Sequence, residues 1–191
     1  MLAIICAGAL CGVLDISAAC INAYVAAGFE PGHVLQSVAG GLLGRISFQG
    51  GLTTATLGLA MHFIMALSVA TIFYALIRRF PLPQRLLGVV AVGMSYGVAV
   101  FIVNNFLTAP FFSWVRSLYL HTPILFKPPM GLSQLVIHMF CVGLPIALVM
   151  RRYAGGGKSW SLKRQMFSTT MSDRLVMSAK LALSKFVHWI L

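Results

Sequence analysis

Residues 52–77, LTTATLGLAMHFIMALSVATIFYALI, decide the fold class, because these 26 consecutive residues contain no charged side chain. About 20 predominantly apolar residues are enough for one helix to cross a bilayer. Outward from this run, the sequence holds three more of the same kind, at about 2–27, 86–107 and 131–150. None of them alternates as a β-barrel strand would. The pattern predicts an all-α, polytopic integral membrane four-helix bundle.

The composition points to the same class of protein. Of the 191 residues, 59% are hydrophobic and 9% are charged, whereas soluble domains contain about a quarter charged residues. This excludes a soluble enzyme, a secreted disulfide domain and a disordered chain. The formal net charge is +11. In so apolar a chain, we interpret the excess of cations as a means of contact with anionic lipid headgroups.

The cations also predict the topology, because most of them lie at one end of the spans. One group separates spans two and three and the other follows span four: Arg78, Arg79, Arg85, Arg151, Arg152 and Lys158. Over the two longer loops of the opposite end are spread Arg45, Arg116 and Lys127. The positive-inside rule therefore predicts a multi-pass protein with both termini in the cytoplasm.

The chain divides into three predicted parts. Residues 1–153 form the four-span membrane domain, in which the apolar stretch 33–43 is too short to cross and is predicted to be a re-entrant or interfacial segment. Residues 154–158 form a glycine-rich linker. In the basic tail, 159–191, the residues from Arg174 onward place apolar side chains on one helical arc and cations opposite. We predict a C-terminal amphipathic helix on the inner leaflet, or alternatively one packed on the protein's own cytoplasmic face.

Each predicted span places one polar residue on the same helix face as its small residues. Gly8 and Gly12, for example, precede Asp15 at helical spacing. The four residues, which we call the polar seam, are Asp15, His62, Asn104 and His138. Polar groups are costly in hydrocarbon and normally face the interior of a bundle. At about 1.5 Å per residue, the seam is expected to run from the bilayer centre to its outer side.

Two interpretations of the polar seam compete. In the first, the four side chains satisfy one another through interhelical hydrogen bonds, each worth about 0.6 kcal/mol. In the second, Asp15 and His62 form a proton or ion site, because an intramembrane carboxylate beside a histidine is typical of proton relays. Two histidines without a ligand-spacing motif do not indicate a metal or haem site, and we expect no cofactor.

A second polar cluster is predicted in the first outer loop, formed by Glu30, His33 and Arg45. Its position at the membrane interface makes it the candidate site if the protein is a lipid-modifying enzyme. The sequence contains no nucleophile elbow, phosphate-binding loop, zinc-binding helix or paired-carboxylate motif. We therefore assign no catalytic residue.

Five strings of sequence stand out: GVLDISAA (12–19), VLQSVAGGLLGR (34–45), FQGG (48–51), LGLAMHF (57–63) and VGLPIAL (142–148). They resemble a family of small uncharacterised bacterial inner-membrane proteins with four spans. The histidine of span two, the Phe-Pro turn after it, the proline-rich outer loop and the closing Arg-Arg pair are more distantly similar to YagU-like membrane proteins. The resemblance covers about residues 10–152, and it implies this architecture and a bacterial inner membrane but no catalytic residues.

We interpret the chain first as a non-enzymatic inner-membrane scaffold or accessory subunit. The alternative is a small transporter or channel component with a proton or ion site at Asp15 and His62, and a lipid-modifying enzyme is third. The expected partners are the lipid bilayer, anionic headgroups bound by the tail, and a second copy or a larger membrane complex. No nucleic-acid partner is expected.

Overall fold

The computed structural model describes residues 1–120 and 131–155, and the regular structure in that part of the chain is helical. The α-helices are α1 (Leu2–Ala27), α2 (Pro31–Leu43), α3 (Gly51–Arg79), α4 (Leu86–Val103), α5 (Ala109–Leu120), α6 (Leu132–Ile137) and α7 (Leu144–Gly155). A 3-10 turn, Gly44–Gln49, follows α2. Two π-helical segments, Asn104–Thr108 and His138–Gly143, join α4 to α5 and α6 to α7. The predicted all-α fold is confirmed.

Four helical stretches are long and apolar enough to cross a membrane: Leu2–Ala27, Gly51–Arg79, Leu86–Tyr119 and Leu132–Tyr153. Large apolar side chains cover their outward faces, and Ile21 and Ile64, for example, are 65% and 63% exposed. Soluble monomers rarely expose apolar patches of this extent, whereas lipid tails solvate them well. The chain is therefore a multi-pass membrane protein.

Glycines set the closest contacts between the spans. Helix α1 packs against α3, where Gly8 lies directly on the side chain and backbone of Leu67. Helix α4 packs against the second π segment, where Gly93 and Gly97 meet the backbone around Gly143. Small residues at these positions let the helices approach more closely than larger side chains would allow. These two contacts bring the polar faces of the four spans together.

Helix α2 occupies the position of the predicted re-entrant or interfacial segment. Its 13 residues span only about 20 Å, which is too short to cross a bilayer. The helix lies against α3 at Gly58, which has the backbone of Leu35 immediately beside it. Ala39, on the same face of α2, is completely buried. Helix α2 therefore packs as part of the bundle and covers one end of it, called the α2 end below.

Two side chains of α5 hold the last turn of α2. The Arg116 guanidinium donates a hydrogen bond from Nη1 to the carbonyl oxygen of Gly40 at 2.7 Å. The Tyr119 hydroxyl donates to the carbonyl oxygen of Leu42. The last carbonyls of a helix have no partners within the helix itself, so these donors cap α2. They fix α2 to the extended third span.

The third span continues beyond its predicted end. The sequence suggested an end near Leu107, ahead of Pro110, but α4, the first π segment and α5 form one helical stretch up to Leu120. The Ala109 N–H bonds to the carbonyl of Asn104, five residues back. This wider turn accommodates Pro110, which has no N–H to donate and would crowd a normal α-helical turn.

The opposite end of the bundle carries arginines and is called the arginine end. Arg151 donates from Nη2 to the carbonyl oxygen of Gln84 at 3.1 Å. This bond joins α7 to the loop between α3 and α4, so Arg151 lies at the same end of the bundle as the basic residues of that loop. Next to them is an apolar core that includes the fully buried Phe73, Ile146 and Met150.

Helix α7 extends two residues into the predicted linker, because it ends at Gly155. The rest of the linker and the predicted amphipathic tail, 159–191, lie outside the described residues. The tail therefore stays a prediction from the sequence.

Candidate functional site

A partly open cavity of about 360 Å³ lies between the helices of the bundle. Helices α1 to α4, α6 and both π segments contribute residues to its walls. All four side chains of the polar seam line it: Asp15, His62, Asn104 and His138. The structure thus brings together, around one space, residues that are far apart in the sequence.

Asp15 and His62 face each other where α1 packs against α3. The Asp15 Oδ2 atom lies 4.0 Å from His62 Nδ1. The other ring nitrogen, Nε2, lies 2.9 Å from the carbonyl oxygen of Gly12. Because a carbonyl oxygen only accepts hydrogen bonds, Nε2 carries a proton. Both side chains are largely buried, with 18% of Asp15 and 13% of His62 exposed.

The bond to Gly12 decides what His62 offers to Asp15. In a neutral ring with its proton on Nε2, the Nδ1 lone pair faces the lone pairs of the carboxylate, and two acceptors repel each other. One additional proton, either on Asp15 or on Nδ1, turns this repulsion into attraction. The geometry is therefore suited to hold one exchangeable proton at the wall of the cavity.

His138 opens the second π segment and is buried. Its Nδ1 atom lies 2.8 Å from the carbonyl oxygen of Gln134, so Nδ1 carries the proton and Nε2 is an acceptor in the neutral ring. Within residues 1–120 and 131–155, Nε2 has no hydrogen-bond partner. Every fully buried side-chain nitrogen in those residues does have one, so Nε2 must be accessible. Because the ring lines the cavity, we interpret its lone pair as open to that space. Phe101 supports the ring edge-on, with centroids 5.7 Å apart.

Asn104 and His138 occupy equivalent places in their spans. Each is the first residue of a π segment, and each segment ends just before a proline, Pro110 or Pro145. Prolines crowd the preceding helical turn, and the wider π turn relieves this crowding. Such turns are frequent at functional sites. A polar residue six or seven positions before a proline in an apolar run is the signal that would have found them.

The structure adds four polar side chains to the cavity walls: Ser37, Tyr96, Thr108 and Gln134. Asn105, beside the predicted Asn104, is also buried. Its Nδ2 atom donates to the carbonyl oxygen of Phe101 at 2.8 Å, so it stabilises the turn into the π segment. A helical wheel based on 100° per residue does not place two adjacent asparagines inward, and this explains why the sequence indicated only the first.

The cavity is bounded towards each end of the bundle by a different element. Towards the arginine end, the Tyr96 hydroxyl donates to the carbonyl oxygen of Val69 at 2.7 Å and the Tyr96 ring packs 4.7 Å from that of Phe73. Towards the α2 end, Val34 and Val38 of α2 form part of the wall. The polar groups therefore lie between an apolar layer and the short helix.

The charge of the cavity is one-sided. Among the described residues, Asp15 is the acidic residue in its walls, and neither Lys nor Arg lines it. In the part of the chain that the structure describes, no three His, Cys, Asp or Glu side chains lie close enough together to hold a metal ion. A carboxylate in such surroundings attracts a proton or an organic cation and repels anions.

The predicted outer-loop cluster has a different arrangement. The His33 ring stacks between Phe29 and Phe48, with centroid distances of 4.5 and 4.6 Å. Glu30 precedes α2 and Arg45 lies in the 3-10 turn, and both side chains are exposed. The His33 N–H donates to the Glu30 carbonyl oxygen at 3.0 Å as α2 begins, but among the described residues no side-chain hydrogen bond or ion pair joins two members of the cluster. Its role stays a prediction.

The fold and the cavity define the class of protein: it is a multi-pass α-helical membrane protein with polar groups around a cavity between its helices. Comparisons of the chain with protein-family models, with curated proteins and with solved structures found no match. The resemblance to small bacterial inner-membrane proteins and to YagU-like proteins stays a prediction from the sequence. The function has to be inferred from the site.

Proposed function

We propose that the protein is a small bacterial inner-membrane transporter or channel component that exchanges a proton or small cation at Asp15 and His62. The observation that carries the proposal is the cavity of about 360 Å³ with all four side chains of the polar seam in its walls. Pockets for small ligands begin at about 300 Å³. A transporter or channel needs a cavity with polar groups in its walls, whereas a scaffold does not.

The hydrogen bonds of the seam also favour a binding site over a purely structural role. A structural role requires the four side chains to satisfy one another, but no hydrogen bond joins two of them. His62 and His138 bond instead to the carbonyls of Gly12 and Gln134. Their remaining ring nitrogens and the Asp15 carboxylate stay available to a ligand.

Proton flux into liposomes tests the proposal. With the full chain reconstituted around a pH-sensitive dye, we expect an imposed pH gradient to collapse several-fold faster with wild type than with Asp15→Asn. Asparagine keeps the size of the side chain but cannot exchange a proton. Glu30→Gln, which changes an exposed carboxylate outside the spans, is the matched control and should behave as wild type. Equal rates for wild type and Asp15→Asn would return the scaffold interpretation to first place.

The proposed topology places both termini in the cytoplasm. The bond between Arg151 and the Gln84 carbonyl supports it, since it keeps basic segments at one end. A reporter that is active only in the cytoplasm is expected to work when fused after Arg152 and to fail when inserted within residues 108–130. The reverse pattern would contradict the orientation.

The proposed partners are anionic headgroups, through the tail, and a second copy or a larger membrane complex. A peptide of residues 172–191 is expected to become helical on vesicles that contain anionic lipid and to detach at high salt, which screens the headgroup charge. Circular dichroism and co-sedimentation measure the two effects. The absence of any gain in helicity on the vesicles would refute the prediction for the tail.

A further inference from the structure

The two histidines of the cavity present hydrogen-bond acceptors to a ligand. His62 donates its Nε2 proton to the Gly12 carbonyl, and His138 donates its Nδ1 proton to the Gln134 carbonyl. The nitrogens left over, Nδ1 of His62 and Nε2 of His138, hold lone pairs in the neutral rings. With the Asp15 carboxylate they make three acceptors around one cavity, so a complementary ligand must donate hydrogen bonds.

The surroundings of these acceptors specify the rest of the ligand. The remaining wall is mostly aliphatic, with side chains such as Ile16, Val38, Met65 and Val100. No Lys or Arg in the described part of the wall neutralises the carboxylate. Within the described residues, no three such side chains lie close enough together for one metal ion, whose bonds are about 2.1 Å long. The hydrogen bonds of an ammonium group are about 2.9 Å long and reach more widely spaced acceptors, so an organic cation fits them better. At about 360 Å³, the space suits a compact molecule.

We infer that the cavity binds a protonated primary amine with a compact apolar body, and that this amine displaces the proton held between Asp15 and His62. The inference rests on the proposed function and names its substrate class. The ammonium group donates to the Asp15 carboxylate and the two imidazole lone pairs, while the apolar body lies against the aliphatic wall. Amine binding and proton binding are then mutually exclusive, as exchange across a membrane requires.

The titratable groups around Asp15 determine which cations can compete with a bound ammonium. His62 faces it from α3, and His138 and Tyr96 line the same cavity from the second π segment and α4. The thiols of Cys11 and Cys141 lie within reach of its charge. Tyr96 and the two thiols carry no positive charge in either protonation state, so among these groups only the histidines can become cations that compete with the bound ammonium.

Benzylamine is a suitable probe, with benzyl alcohol and benzoate as its neutral and anionic counterparts. Equilibrium dialysis uses the full chain in lipid nanodiscs, with empty nanodiscs as the blank. We expect benzylamine to bind at least tenfold more tightly than benzyl alcohol, and benzoate not to bind. Between about pH 6 and 8 a primary amine stays protonated. Its affinity should rise with pH, approaching about tenfold per unit, because each bound amine releases one proton.

Two variants locate the binding. Asp15→Asn should reduce benzylamine affinity at least tenfold and remove its pH dependence. His138→Phe keeps a ring against Phe101 but removes the Nε2 acceptor, and it should weaken the binding of the amine. The comparison of probes on wild type is decisive even if a variant does not fold.

The outcomes separate this inference from the proposed function. Equal binding of benzylamine and benzyl alcohol, or a benzylamine affinity independent of pH, would overturn the amine assignment even if the flux still depends on Asp15. So would displacement of the proton by sodium chloride without any by benzylamine. A flux that is indifferent to Asp15→Asn would instead overturn the proposed function itself.

Discussion

If Asp15 and His62 share a proton as proposed, the wild-type protein is expected to lose thermal stability as the pH rises above neutrality, and Asp15→Asn is expected to remove that loss. In the wild type, deprotonation of the Asp15–His62 pair leaves a carboxylate facing the Nδ1 lone pair of a ring whose Nε2 proton is held by Gly12. Inside a bundle, this repulsion is poorly screened. Asparagine carries no charge and can donate its amide N–H to Nδ1, so the variant has no such penalty.

The sign of the effect follows from the number of protons bound. The proposed function requires the folded pair to hold one exchangeable proton, whereas around and above neutral pH an unfolded aspartate and histidine together hold well under one. When the folded state binds more protons, stability falls as the pH rises, by at most about 1.4 kcal/mol per pH unit for one proton. Asp15→Asn removes the site of this proton, so the part of the slope that the pair causes should disappear.

The measurement is the midpoint of thermal unfolding in detergent, recorded across pH for both proteins. Glu30→Gln controls for the general effect of removing a carboxylate and should keep the wild-type slope. Asp15→Leu should lower the midpoint below neutrality, where it removes the proton-mediated contact and leaves Nδ1 of His62 without a polar neighbour. Parallel pH profiles for wild type and Asp15→Asn would mean that the pair holds no exchangeable proton.

The polar seam shows how far the sequence determines the interior of this bundle. Asp15 and His62 follow small residues at spacings of three and four, which places them on the close-packed faces of their helices. Because a polar group in hydrocarbon is costly, those faces had to turn inward. Periodicity and the cost of burial were thus enough to assign all four cavity residues to the interior, although neither predicted that a cavity lies between them.

The π segments could not be predicted from the same periodicity. A fixed angle of 100° per residue fails where the backbone bonds five residues back, as Ala109 does to Asn104. For this reason the inward position of Asn105 and the continuation of span three past Pro110 were missed. The capping of α2 by Arg116 and Tyr119 was missed for another reason: the partners lie 76 and 77 residues apart, and no local pattern links them.

Gly143→Ala is expected to produce a large loss of stability for so conservative a change. An added Cβ at this position would overlap the Gly93 carbonyl and the backbone of Gly97, whose Cα would lie only 2.7 Å away. These are backbone atoms of a packed helix and cannot rotate aside. The two helices must separate, so we expect a cost at the upper end of the usual range for overpacking, about 1–3 kcal/mol.

Gly41→Ala is the matched control, because no atom lies within 4 Å of the Cβ that it would add. In the interior of α2, alanine should instead stabilise the helix by about 0.5–1 kcal/mol. The thermal midpoint in detergent should therefore fall for the first variant and stay level or rise for the second. Similar midpoints would show that α4 and the second π segment are not packed backbone to backbone. Since His138 belongs to that segment, separating the helices should also displace its ring, and Gly143→Ala should weaken benzylamine binding although it touches no polar atom of the cavity.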